Sequence, residues 1–393
     1  MITREDIREL AEFQCNPPEA CALSFYFQPR TPQNKSHREE AILAKDLVRN
    51  ALRDVEKTGK NGSVRADLDR ILALAESMHG NQARAKAVFA SGARKFWREF
   101  DLPAQLPATQ LFVNSRFHLK PLAILLGAQP RVAVVLVNRE RARFFDFRLD
   151  ELTERGEGLS HDLPRRGRSD GFNGYDAGHS ERRVSDEVMH HFKIVAERLK
   201  DQAEKGLWEK LIVGCQDTHW PELEPHLHPY VKQRLMGRFS AELATATNDQ
   251  IREQAARIFR ESLDHRRHAL VREVLDQAKS NNLGVTGLRR VLRSLELGEV
   301  QTLLIGDNYR AHAVECGNCG HLDAHTVREC PVCGHATHEL EDVGDAIIPA
   351  AIRRDIEVLY VKDDADFDHA GNIAALLRFR VDQPKTGGLA VAS

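Results

Sequence analysis

No apolar stretch of this 393-residue chain approaches the length of a membrane span: Val132 to Val137 is among the longest, and a spanning helix needs about 20 such residues. Met1 leads into Thr3-Arg4-Glu5-Asp6, so no apolar leader is expected and a cytoplasmic location is. An excess of one charge is also missing. The net charge of −2 excludes a surface coated in basic residues, so contact with nucleic acid would run through local patches. No Gly-rich phosphate loop of the Gly-x4-Gly-Lys-Ser/Thr kind occurs, which argues against intrinsic nucleotide hydrolysis. Cysteine is scarce, at seven residues, and Cys15, Cys21 and Cys215 are scattered enough to suggest no disulfide framework.

The other four cysteines are what the chain does have. Cys316, Cys319, Cys330 and Cys333 form two knuckles, Cys-Gly-Asn-Cys-Gly-His and Cys-Pro-Val-Cys-Gly-His. Four soft thiolates at that spacing suit the corners of a tetrahedron and predict a structural Zn²⁺ with no open position for water. His321, His325, His335 and His338 lie nearby as less favoured substitutes. Such a metal helps fold the ribbon that carries it, and chelation is expected to loosen the third domain alone.

Periodicity divides the remainder. Helical spacing of Ile42, Leu43, Leu47, Val48, Ala51, Leu52 and Val55, then of Leu68, Ile71, Leu72 and Leu74, predicts two helices. Ala87–Ala90 and Gln110–Val113 read as short strands, giving an α/β domain over 1–130. A hairpin from Arg131 to Phe147 opens a second domain, 131–247, followed by a long Arg- and Gly-rich loop over 163–183. The helix after it carries Val188, Phe192, Val195 and Leu199, and Leu211–Gly214 reads as a buried strand. A third domain, 248–393, holds a long helix from Ile251, strands at Gln301–Ile305, Ile356–Val361 and Ile373–Val381, and the ribbon at 314–340 as an insertion. The fold class is therefore α/β, with mixed-sheet domains and a zinc ribbon inserted in the third.

Several stretches together resemble the archaeo-eukaryotic class-1 peptide-chain release factors, in their bacterial branch. Val285-Thr286-Gly287-Leu288-Arg289-Arg290-Val291-Leu292 with Gly298 to Ile305 is similar to that family's third domain, as is the closing run Ala370 to Arg380. The ribbon sits where many members carry a metal-binding minidomain. The hairpin and the helix after the long loop resemble the middle domain. The codon-reading Asn-Ile-Lys-Ser signature is absent from the first segment.

The resemblance implies a three-domain release-factor-like architecture and a loop that reaches the peptidyl-transferase centre. In members that hydrolyse peptidyl-tRNA, the tip reads Gly-Gly-Gln. Here Ala177-Gly178-His179 stands in its place, followed by Ser180. The resemblance thus implies a lost hydrolytic motif, with His179 the catalytic candidate if activity persists. Arg165, Arg166, Arg168, Arg182 and Arg183 are its candidate contacts with ribosomal RNA, since guanidinium groups pair with phosphates and stack on bases. Implied partners are the 70S ribosome and a translational GTPase such as elongation factor Tu, with no membrane. The related Pelota rescue proteins and the hibernation factor Balon imply occupation of the aminoacyl-tRNA site, in hibernation or rescue, without hydrolysis.

Overall fold

A computed structural model of the chain describes residues 4–15, 21–28, 37–58, 62–78, 85–102, 108–126, 130–148, 150–160 and 175–381; at several element ends, 175–184 among them, it describes the backbone only. The described residues fall into two units, 1–128 with 267–393, and 129–266.

The first stretch runs α1 (Arg4–Glu12), β1 (Ala22–Phe27), α2 (His37–Thr58), α3 (Gly62–Ser77), β2 (Ala85–Ser91), β3 (Phe96–Leu102), β4 (Gln110–Asn114) and α4 (Lys120–Leu126). Its antiparallel sheet has the order β3-β2-β1-β4. Every residue of β1 is buried because the sheet is covered on both faces. Alternate side chains Leu23, Phe25 and Phe27 meet Val48, Leu68 and Ile71 of α2 and α3, where the 3.6-residue spacing put them. The opposite face sends Tyr26 and Phe89 into a second core.

The second unit contains β5 (Val132–Val137), β6 (Arg141–Arg148), β7 (Glu151–Ser160), α5 (Tyr175–Glu204), β8 (Lys210–Gly214), the short α6 (Trp220–Leu223) and α7 (Pro229–Lys232), and β9 (Leu235–Phe239). The sheet order is β7-β6-β5-β8-β9, with β5, β8 and β9 parallel. Phe192, Val195 and Leu199 of α5 pack on one face. Ile251, Ala255 and Phe259 of α8 (Asn248–Lys279) cover the other. Burial on both faces explains why β5 and β8 read as unbroken apolar runs.

Helix α8 carries the chain back into the first unit. There follow β10 (Gly284–Thr286), α9 (Leu288–Glu296), β11 (Val300–Gly306), the ribbon strands β12 (Ala313–Cys316), β13 (Leu322–Asp323) and β14 (Thr337–Leu340), α10 (Gly344–Arg353), β15 (Glu357–Val361), α11 (Ala365–His369) and β16 (Ile373–Leu377). The main sheet is β10-β16-β11-β15, in which only β11 and β15 are parallel. Leu304 and Ala374 face Val271 and Val274 of α8, while Leu303, Ile305 and Ala375 face the core that also holds Tyr26, Phe89 and Phe117. First and third stretches thus share one apolar core, and α1 lies along α10 with Ile7, Leu10 and Ala11 beside Ile347, Ile348 and Ala351.

The mixed α/β class read from the sequence is the one observed. Three expectations need correction. Cys15 and Cys21 are not unrelated thiols but a disulfide, with Cα atoms 6.1 Å apart. Tertiary structure sets this pairing: the Cys15 amide donates to the Ser115 carbonyl at 2.8 Å, which brings the exit of α1 to the start of β1. The expected loop 163–183 ends early, because α5 begins at Tyr175. Ala177, Glu181, Arg182 and Arg183 favour helix, and one glycine, Gly178, costs only about 1 kcal/mol in a helix anchored further on by Val188 and Phe192. The last strand stops at Leu377 rather than Val381, where β11, its partner, has run out.

Candidate functional site

The ribbon is a three-stranded antiparallel sheet, β13-β12-β14, with Cys316 at the end of β12. Its two knuckles are built alike. In the first, the Asn318 amide donates to Cys316 Sγ at 3.4 Å, the Gly320 amide to the Cys316 carbonyl at 3.1 Å, and the Cys316 amide to the His321 carbonyl at 2.9 Å. In the second, the Val332 amide donates to Cys330 Sγ at 3.4 Å, Gly334 to the Cys330 carbonyl at 2.9 Å, and Cys330 to the His335 carbonyl at 2.8 Å. Closing each turn requires a left-handed residue after the second cysteine. Gly320 and Gly334 supply it, with φ of 72° and 73°.

All four sulfurs lie within 4.8 Å of one another. Cys316 and Cys333 are 3.3 Å apart and Cys319 and Cys330 3.6 Å apart. A tetrahedral ion with thiolate bonds of about 2.3 Å sets its ligands roughly 3.8 Å apart, so the donor set fits a metal of that kind. The nearby histidines are engaged elsewhere: His321 with Glu296 at 2.9 Å, His325 with Asp323 at 3.2 Å, and His335 with the Cys333 carbonyl at 3.1 Å.

Four thiols this close share charge unequally. The His335 amide, and after it the Cys316 thiol, hold Cys333 down to about 5. Cys319 is pushed up to about 12: desolvation and hydrogen bonds to the other three sulfurs outweigh the pull of the His321 amide. A dication would end that sharing, since coordinated thiols lose their protons outright.

The motif stretch is placed differently from the four cysteines. Ala177, Gly178, His179, Ser180, Arg182 and Arg183 fall in the first turns of α5, and their side chains lie outside the described residues. Arg165, Arg166 and Arg168 lie outside them altogether. Further along α5, His191 is buried and His190 exposed, as adjacent positions on a helix require.

A cluster that sequence reasoning missed adjoins the four cysteines. Glu315, one residue before Cys316, is buried and accepts from the guanidinium of Arg116, also buried, in the segment between β4 and α4. Its other oxygen stands 3.3 Å from His338 Nε2, not aligned for a hydrogen bond. Arg353, exposed at the end of α10, donates to the Ala11 carbonyl at 2.6 Å. Partial desolvation first, then the charge of Arg116, lowers its pKa, while Glu315 pulls the other way. Close by, Asp345 meets His118 Nδ1 at 2.7 Å and Asn114 at 3.0 Å. The available signal was a carboxylate in the apolar strand Ala313-Val314-Glu315-Cys316.

In the second unit, the carboxyl ends of the parallel strands carry Arg139, bidentate to Glu222, and Arg238, 2.5 Å from Asp217. His219 lies between these elements. Its pKa is lowered by burial and then by Arg139, against the opposite pull of Glu222 and Glu242. Among the described residues no helix is long and apolar enough to cross a membrane.

Residues 118–260 match the family described as bacterial archaeo-eukaryotic release factor family 10. The peptide chain release factor subunit 1 of Pyrococcus abyssi is 26% identical over 307 residues, spanning 68% of this chain and 71% of its own. The protein of the same name from Archaeoglobus fulgidus is 23% identical over 375 residues, spanning 89% and 86%. Among solved structures, Archaeoglobus fulgidus Pelota aligns at 12% identity and a TM-score of 0.37, over 97% of this chain and 94% of that one. The chain is thus similar to archaeo-eukaryotic release factors, and its residues 118–260 match family 10 of their bacterial branch.

Proposed function

We propose that this protein is a translation factor that occupies the aminoacyl-tRNA site of the 70S ribosome, in hibernation or rescue, without hydrolysing peptidyl-tRNA. Ala177-Gly178-His179, in a chain related to release factors, is the observation that carries this reading. Alanine lacks the freedom of glycine at φ > 0, and an imidazole does not reproduce the amide of glutamine. The reading keeps the three-domain division at 1–130, 131–247 and 248–393. In it Arg165, Arg166, Arg168, Arg182 and Arg183 contact ribosomal RNA, a translational GTPase such as elongation factor Tu is a partner, and the setting is cytoplasmic. The four cysteines hold Zn²⁺, which an all-thiolate tetrahedral set favours, and the ion is structural because no coordination position stays open.

A second reading is a peptidyl-tRNA hydrolase, favoured by one observation: His179 is a titratable group at the position of the lost glutamine. One experiment separates the two. Purified bacterial ribosomes carrying labelled peptidyl-tRNA and an empty aminoacyl site are incubated with the protein, and both released peptide and pelleted protein are measured. Binding without release is expected. Release above background that disappears in His179→Ala would establish the hydrolase instead, and no binding at near-physiological salt would sink both.

A further inference from the structure

The ribbon is poorly equipped to hold itself. Its strands are four, two and four residues long, and Ala313 and Val314 are the buried apolar residues they supply. A sheet of that size needs an outside source of stability, and here the knuckles provide it only once the sulfurs are tied together. The same strand that ends in Cys316 carries Glu315, whose carboxylate is the counter-charge for Arg116. Arg116 belongs to the first stretch of the chain, where Gln14 pairs with it as an isolated bridge, and Arg353 caps the end of α1 through the Ala11 carbonyl.

We propose that the metal centre is a fastener between the first and third stretches of the chain. Loading the four cysteines fixes β12 and so holds Glu315 against Arg116. Losing the metal lets Glu315 move, leaves the buried Arg116 without its counter-charge, and loosens α1 and the 114–122 segment from α10. Only one Glu315 oxygen is hydrogen-bonded among the described residues, so the carboxylate depends on its strand rather than on a surrounding network. The apolar contact of α1 with α10 survives, so the effect is loosening rather than separation. Chelation therefore reaches beyond the third domain, further than the sequence alone suggested. The inference rests on the metal reading above but not on the ribosomal one.

The test is hydrogen exchange by mass spectrometry on the full chain, with metal content measured in each sample. Chelation is expected to speed exchange of amides 7–12 and 114–122 by about tenfold or more, together with the ribbon. Glu315→Gln is expected to keep its metal and a protected ribbon while speeding the same amides. Arg116→Gln should do likewise from the other side. If metal is present and its removal affects only 313–340, the fastener is overturned and the metal reading stands. A metal-free chain that is folded and protected at 7–12 and 114–122 overturns both.

Discussion

Glu315 and Arg116 stand 199 residues apart in the chain and form an ion pair whose side chains are 5% and 9% exposed. Removing one partner of such a pair leaves an uncompensated buried charge, at a cost of about 3–5 kcal/mol. The two single variants should not be equal. Glu315→Leu leaves the buried Arg116 unpaired and removes the charge that offsets its repulsion of the exposed Arg353, whereas Arg116→Met leaves Glu315 under the charge of Arg353 and with His338 still near. Urea denaturation should place Glu315→Leu at the upper end of that range and Arg116→Met below it. Negligible losses would show that the pair is solvated, and large but equal ones that Arg353 and His338 do nothing for it.

The disulfide between Cys15 and Cys21 spans six positions and ties the exit of α1 to β1. Chain-entropy reasoning for a loop that short gives about 2 kcal/mol. Reduction, or Cys15→Ser, should lower the stability of the 1–128 with 267–393 unit by that amount and leave 129–266 untouched. Cys215 makes a useful internal control. Burial raises its thiol to about 11, so it should resist alkylation at pH 8 until the chain unfolds.

His219 predicts an acid-sensitive second unit. Burial, aided by Arg139, holds its pKa below the ordinary 6.5, against the pull of Glu222 and Glu242. Just below pH 6.5 the unfolded chain therefore binds more protons than the folded one, and stability rises with pH across that window. The contribution is complete above 6.5 and is lost as pH falls. His219→Gln should flatten this slope when denaturation midpoints are compared at pH 5.5 and 7.5. An unchanged slope would assign the acid sensitivity to other groups.

How much of this was legible beforehand depended on how local the cause was. Helices α2, α5 and α8 announced themselves because Val48, Phe192 and Ile251 recur at helical spacing with their neighbours, and the β5–β6 hairpin through apolar strands flanking Asn138–Arg141. The four cysteines were readable because ligand spacing is itself local. Strand β3 was not, since Arg98, Glu99 and Asp101 interrupt any apolar pattern at the edge of a sheet. Helix α1 was missed for another reason: nine residues carry one narrow stripe, Ile7, Leu10 and Ala11, whose partner α10 lies more than 330 residues away. The Cys15–Cys21 bond and the Arg116–Glu315 pair are products of tertiary folding, and no spacing rule reaches them.

The four-cysteine cluster offers the sharpest separation of candidate ligands from neighbours. Cys316, Cys319, Cys330 and Cys333 converge, while His335 turns its Nδ1 to the Cys333 carbonyl and His321 is held by Glu296. Native mass spectrometry should find about one Zn²⁺ per chain. Cys319→Ser or Cys333→Ser should weaken binding steeply, since each removes one of four thiolates, and should unfold the ribbon with it. His335→Ala and His321→Ala should keep the full metal complement. His321→Ala should still lose a little stability, because the contact with Glu296 joins the ribbon to α9. Were His335→Ala to lose metal while Cys319→Ser kept it, the site would be three cysteines and a histidine. The exposed Cys319 would then be a free thiol, detectable by alkylation of the loaded protein.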